Sequence, residues 1–125
     1  MPPIRVVVAD DHPSIRAGMT TMLETVADIR VVGQASDGIQ ALHMVAELAP
    51  DVLLLDIEMP ALSGYEVSRQ LRTAHSPVRI LAFSAHSDAQ HIVGILNNGA
   101  SSFLSKDASF ETIIASVRGL MLDSA

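Results

Sequence analysis

Ile4-Arg5-Val6-Val7-Val8-Ala9-Asp10-Asp11-His12-Pro13 is a short β-branched run that ends abruptly in two acids and, one residue later, a proline. Directly after it, Ile15, Met19, Met22, Leu23 and Val26 recur at helical spacing, so the stretch reads as a strand feeding a helix. The same unit returns along the chain. Ile29 to Ala35, Asp51 to Leu55, Arg79 to Ser84 and Ser101 to Ser105 supply further strands. Between them come the helical stripes Leu42, Val45 and Ala49, then Val67 and Leu71, then Ile92, Ile95 and Leu96. A last helix carries Phe110, Ile113, Ile114, Val117 and Met121, with Ser109 placed as its N-cap and Glu111 in its first turn. Gly38, Pro50, Gly64, Pro77 and Gly99 stand where boundaries are expected. Short strands alternating with helices are the signature of a parallel sheet with helices on its faces. The predicted class is therefore α/β: a doubly wound, five-stranded parallel sheet with five helices and the strand order 2-1-3-4-5, a common order at this size.

Composition narrows the functions this fold could serve. With 125 residues, 49% of them hydrophobic and 18% charged, residues 1–125 suit one domain with its own core. The net charge of -6 repels phosphate backbones and anionic lipid, so neither direct nucleic-acid binding nor membrane attachment is expected. The absence of cysteine removes disulfide frameworks, thiolate metal sites and cysteine nucleophiles together, and fits a cytosolic origin. Met1-Pro2-Pro3-Ile4-Arg5 lacks the long apolar stretch of a signal peptide, and apolar runs such as Val52 to Leu55 are too short to span a bilayer.

In a doubly wound sheet, ligands bind beyond the carboxyl ends of the strands where the strand order reverses, here between the first and third strands. Asp10, Asp11 and Asp56 fall at that point. Carboxylates gathered in one crevice repel each other, and either a raised pKa or a hard divalent cation relieves them. Mg²⁺ suits such a set, since it takes oxygen ligands and keeps waters. Taken alone, Asp10 and Asp11 could equally cap the turn into the helix near Pro13. Ser84 and Lys106 follow the fourth and fifth strands at the same sheet edge, and a hydroxyl and an ammonium facing carboxylates suggest a bound phosphoryl group. Serine at a strand end is otherwise a common turn residue, and lysine there is usually solvated. Lys106 stands out because the other seven of the eight bases are arginine.

Asp10-Asp11-His12-Pro13, then Asp51 through Asp56-Ile57-Glu58-Met59-Pro60, then Ala82-Phe83-Ser84-Ala85-His86, then Gly99-Ala100 through Phe103-Leu104-Ser105-Lys106-Asp107 resemble the receiver domain of bacterial two-component response regulators. The motifs are individually modest, but their order and spacing are specific: 45 residues from Asp11 to Asp56, 28 more to Ser84 and 22 more to Lys106. Asp10-Asp11-His12-Pro13 and Leu104-Ser105-Lys106-Asp107 resemble in particular the NarL/FixJ type, in which a helix-turn-helix DNA-binding domain follows the receiver. The resemblance implies a flavodoxin-like fold in which Asp56 accepts a phosphoryl group from a sensor histidine kinase. It implies Mg²⁺ on Asp11, Asp56 and the backbone carbonyl of Glu58, with Asp10 assisting through water. Ser84 and Lys106 would hold phosphoryl oxygens, and Phe103 would swing inward as Ser84 moves, although an aromatic packed at the sheet edge explains Phe103 equally well. Glu58 and His86, each two positions beyond a site residue, would tune the lifetime of the acyl phosphate. A phosphorylation-dependent homodimer, and DNA contacts made only by a C-terminal effector domain absent from these residues, complete the expectation.

Two departures from the family pattern are local. Many receivers follow the lysine with proline in a cis bond, whereas Asp107 stands here, and a cis bond before a non-proline residue costs about 3 kcal/mol. Ala61-Leu62-Ser63-Gly64 replaces the glycine and aspartate common after Met59-Pro60. Other classes fit less well. A phosphatase using an aspartyl phosphate would carry Asp-x-Asp after the first strand, and a flavin-binding domain would want a Ser/Thr/Gly loop there and aromatics for the ring, but only 3% of residues are aromatic. A pure interaction module would not need the complete acidic and Ser/Lys set. His43, His75, His86 and His91 offer no metal pair at helical spacing and are most simply solvated.

Overall fold

Strands and helices alternate throughout the computed structural model, which describes residues 2–85 and 89–122. The order is β1 (Ile4–Ala9), α1 (Pro13–Leu23), β2 (Ile29–Ala35), α2 (Gly38–Leu48), β3 (Val52–Asp56), α3 (Gly64–Thr73), β4 (Arg79–Ser84), α4 (Ala89–Asn97), β5 (Ser102–Ser105) and α5 (Phe110–Leu122). All neighbouring strands pair in parallel, in the order β2-β1-β3-β4-β5. Among the described residues no helix is long and apolar enough to cross a membrane.

Because successive strand residues point to opposite faces, the sheet sorts its side chains into two cores. Val7, Ala9, Leu53, Leu55, Ile80 and Ala82 face one way and pack with Ala41 and Val45 of α2, Val67 and Leu71 of α3 and Ile95 of α4. Val6, Val8, Val52, Leu54, Leu81 and Phe83 face the other way, under Met22 and Leu23 of α1 and Ile113, Val117 and Leu120 of α5. Each fully buried Val, Leu, Ile or Phe contributes roughly 1.5–3 kcal/mol relative to exposure, so both layers clamp the sheet and hold its strand ends in place.

Helix starts follow local chemistry. Asp37 caps α2 by accepting from the Gln40 amide at 2.8 Å, Ser63 caps α3 by accepting from the Glu66 amide at 3.3 Å, and Ser109 caps α5 by accepting from the Thr112 amide at 3.1 Å. α1 has no side-chain cap and starts instead on Pro13, whose missing N–H is no loss there.

Several sequence expectations shift. β3 runs from Val52 to Asp56, one residue later than Asp51 to Leu55, because the Asp51 carboxylate turns back to accept the Arg5 amide at 2.9 Å. β5 begins at Ser102, not Ser101, whose hydroxyl accepts the Ile80 amide at 3.1 Å. α1 ends at Leu23, so Val26 joins the core from the following loop. Ala49 lies past α2 as its left-handed C-cap (φ 46°), and Phe110, at the first position of α5, is 64% exposed instead of lying in the buried stripe. Ala61, in the turn after Met59-Pro60, adopts φ 67°, a left-handed conformation that costs an L-residue roughly 1–2 kcal/mol.

Candidate functional site

The parallel sheet delivers the ends of β1, β3, β4 and β5 to one edge, and the register decides which residues meet there. Ala9 pairs with Leu55, Asp56 with Phe83, and Ser84 with Ser105. Asp10, Asp56, Ser84 and Lys106 therefore stand side by side at the carboxyl edge, beside the reversal of strand order between β1 and β3. Lys106 is tied to β4 by its backbone amide, which donates to the Ser84 carbonyl at 2.9 Å.

Asp56 is wholly buried and ends β3. Its Oδ1 accepts the Glu58 backbone amide at 3.0 Å, and its Oδ2 accepts from Lys106 Nζ at 3.1 Å. Burial pushes the Asp56 carboxyl above the usual carboxylate range; the Glu58 amide and the Lys106 ammonium work against that rise, and the charge of Asp10 adds to it. Beneath the ammonium lies the buried Phe83 ring, 5.6 Å from Nζ to its centroid, within cation–π reach.

Asp10 is also wholly buried. Its Oδ1 accepts the His12 amide at 2.8 Å and lies 3.0 Å from His12 Nδ1, while its Oδ2 has no hydrogen-bond partner. The backbone carbonyl of Asp10 accepts from Arg16 Nη1 at 2.8 Å. Asp11 is 28% exposed, and its Oδ1 lies 3.2 Å from the same His12 nitrogen. Ligand atoms of Asp10, Asp11, His12 and Asp56 all lie within 4.8 Å of one another. Asp10 thus holds the turn into α1, the alternative left open by sequence, through the His12 amide, and the three carboxylates also converge on a shared volume.

Ser84 is buried and donates its hydroxyl to Glu58 Oε1. Glu58 is exposed, yet its carboxylate folds back over the site. The Asp56–Glu58 loop is fixed from two sides, by the Ile57 amide on the Phe83 carbonyl at 3.1 Å and by the Gly64 amide on the Ile57 carbonyl at 2.9 Å. Phe103 is half-buried on β5 and packs against the core shared with α2, α3 and α4. His86 lies outside the described residues. The Lys106–Asp107 bond is trans, with no cis peptide among the described residues.

Asp10, Asp11 and Asp56, with Lys106 on Asp56 and Ser84 on Glu58, thus gather at the carboxyl edge of the sheet. The family model described as response regulator receiver domain matches residues 6–118. The chain belongs to that family. Among relatives of this receiver domain, NarL of Mycobacterium tuberculosis is 40% identical over 114 residues, covering 91% of this chain and 53% of that protein. Response regulator GacA of Pseudomonas viridiflava is 35% identical over 115 residues, covering 92% of this chain and 54% of that protein. The solved receiver domain of the M. tuberculosis response regulator NarL superposes with a TM-score of 0.92 at 38% identity, covering 95% of this chain and 96% of that one. The receiver thus spans about half the length of the curated relatives it matches.

Sequence reasoning passed over three features of the receiver's site: the His12 ring between two carboxylates, the Arg16 guanidinium on the Asp10 carbonyl, and the Glu58 side chain on Ser84. For the first two a signal existed. His12 follows the acid pair directly, and Arg16 stands one helical turn after His12.

Proposed function

We propose that Asp56 is the acceptor of a phosphoryl group from a sensor histidine kinase, and that the acyl phosphate switches the surface of this receiver. The observation that carries this reading is the buried Asp56 carboxylate, held by the Glu58 amide and Lys106 beside the bare Asp10 Oδ2. Three carboxylates against one ammonium leave an excess of negative charge in the crevice, and hard oxygen donors with two unpartnered buried oxygens, Asp10 Oδ2 and Asp11 Oδ1, fit Mg²⁺. Asp10, Asp11, Asp56 and the backbone carbonyl of Glu58 would hold the ion, which supplies the charge that a transferring phosphoryl group needs.

Asp56, ionised once that charge is balanced, needs no base. One of its oxygens attacks phosphorus, the P–N bond to the kinase imidazole breaks, and that imidazole leaves with the bonding electron pair and takes a proton. Lys106 and Ser84 hold the phosphoryl oxygens. For Ser84 to do so, its hydroxyl leaves the Glu58 carboxylate and turns to the new anion, and Phe103 follows into the space beside β4. Water then attacks phosphorus and regenerates the Asp56 carboxylate. Glu58, and His86 at the corresponding place after β4, tune that step. The domain is a regulatory phospho-acceptor that assists its own phosphorylation and dephosphorylation in the cytoplasm. Its output is a phosphorylation-dependent homodimer that controls transcription through a C-terminal DNA-binding domain.

Incubation with a small acyl-phosphate donor and Mg²⁺, followed by intact-mass measurement, should add about 80 Da, one phosphoryl group. A gain that persists in Asp56→Asn, or that forms without Mg²⁺, defeats the assignment.

A further inference from the structure

The two oxygens of the Asp10 carboxylate have unequal surroundings. Oδ1 accepts two donors from one residue, the His12 backbone amide at 2.8 Å and the ring Nδ1 at 3.0 Å. Oδ2, equally buried, accepts none. His12 is itself held from both sides. Pro13 restricts it to extended backbone (φ -92°, ψ 109°), and its carbonyl accepts the Arg16 amide at 2.9 Å, the first turn of α1. The Arg16 guanidinium then reaches back to the Asp10 carbonyl at 2.8 Å. Asp10 and His12 are thereby locked to the start of the same helix. The ring also lies 3.2 Å from Asp11 Oδ1, an oxygen that, like Asp10 Oδ2, is buried and accepts no hydrogen bond.

We propose that His12 is a positioning residue for the metal site: its Nδ1–H occupies Asp10 Oδ1 and leaves Asp10 Oδ2 as the oxygen presented to the cation. Both atoms facing Nδ1 are carboxylate oxygens, which only accept, so Nδ1 carries the hydrogen and cannot itself be a ligand in this arrangement. Carboxylates that serve a metal are characteristically fixed by hydrogen bonds from a second layer of residues, and loss of such a partner typically weakens the metal 10–100-fold. His12 performs that task with its ring edge, while more than half of its side chain (55%) stays in solvent. The role rests on the Mg²⁺ reading given above and extends it to a residue that neither touches the ion nor reacts.

Calorimetric titration with Mg²⁺ and, separately, Mn²⁺ on wild type, His12→Ala, His12→Asn and His12→Gln tests this directly. The asparagine amide nitrogen takes the place of Nδ1, two bonds beyond Cβ, whereas glutamine places its amide one bond further out. His12→Ala and His12→Gln should each weaken both ions by about tenfold or more, and His12→Asn should stay within about threefold of wild type. Thermal unfolding without metal keeps a folding defect apart from a binding defect, and rescue by asparagine alone is a result that general loosening of the loop does not produce. Wild-type affinity in His12→Ala overturns the proposal, as does rescue by glutamine instead of asparagine. Loss of Mn²⁺ binding with Mg²⁺ binding intact also overturns it, because it makes the imidazole a direct ligand. A wild-type chain that takes up neither ion overturns the metal reading itself and the role of His12 with it.

Discussion

Gly64 opens α3 where the helix presses on the loop that carries Asp56. A Cβ at this position would lie 2.6 Å from Ile57 Cα, 2.7 Å from the Asp56 carbonyl oxygen and 2.8 Å from Ile57 Cδ1. Carbon atoms in comfortable contact are about 3.5–4.0 Å apart. The first two atoms are backbone and no rotamer change moves them, so Gly64→Ala must drive the loop and α3 apart by about 1 Å to approach that spacing. Overpacking of this kind costs about 1–3 kcal/mol, offset in part by up to about 1 kcal/mol from the better helix former. The expected net loss of about 1–2 kcal/mol lowers Tm by roughly 3–10 °C for a domain of this size. The displaced segment also carries the Glu58 amide that binds Asp56 Oδ1 at 3.0 Å and the Gly64 amide that binds the Ile57 carbonyl at 2.9 Å. Phosphorylation by the small donor should therefore slow severalfold along with the stability loss. Gly18→Ala in α1 is the matched control: nothing lies within 4 Å of its Cβ, so it should stabilise by roughly 0.5–1 kcal/mol. Thermal unfolding and intact-mass kinetics of both variants decide the matter. A Gly64→Ala protein with wild-type Tm and wild-type phosphorylation refutes the argument that this close approach sets the Asp56 loop.

Lys106→Arg should lower the rate of Asp56 phosphorylation by about tenfold or more, since one charge-assisted hydrogen bond is worth roughly 1.5–3 kcal/mol and a planar guanidinium cannot place a compact charge in the same slot; donor-dependent mass gain over time measures it. Burial raises the Asp56 carboxyl, so between the unfolded and folded values the folded state binds more protons than the unfolded one, and the metal-free stability from this group is present at acid pH and falls as pH rises through the raised value. Denaturant melts of wild type and Asp56→Asn from pH 4 to pH 7 should therefore diverge against wild type as pH rises, and tenfold excess of Mg²⁺ over its Kd should restore about 1.4 kcal/mol to wild type. The Arg118 guanidinium grips Asp28 at 2.7 and 2.8 Å and holds that carboxyl below its ordinary range. This contribution is present above the ordinary carboxylate value and is lost as pH falls through the lowered one, so Arg118→Ala should reduce Tm at pH 7, and the difference from wild type should shrink as pH falls through the lowered value.

Periodicity along the chain determined most of the architecture. β1, β2 and β4 begin and end where their apolar runs do, because a strand's alternation and a helix's stripe are relations among residues close in sequence, and the two-sided core follows from them. The acidic residues, Ser84 and Lys106 were legible for a similar reason: in a parallel sheet the last residue of each strand and those just after it must fall at the carboxyl edge, whatever the side chains do next. Folding alone decided the partners. Asp51 turns its carboxylate to Arg5, 46 residues away, and shortens β3 at its start. Phe110 keeps the spacing of the α5 stripe but stands at the helix's first position, where it remains exposed. Glu58 reaches Ser84, 26 residues distant, instead of pointing to water, and the His12 ring chooses the gap between two carboxylates. Each of these is a choice of rotamer or boundary made by atoms that approach only after distant segments have packed, and local pattern carries no record of them.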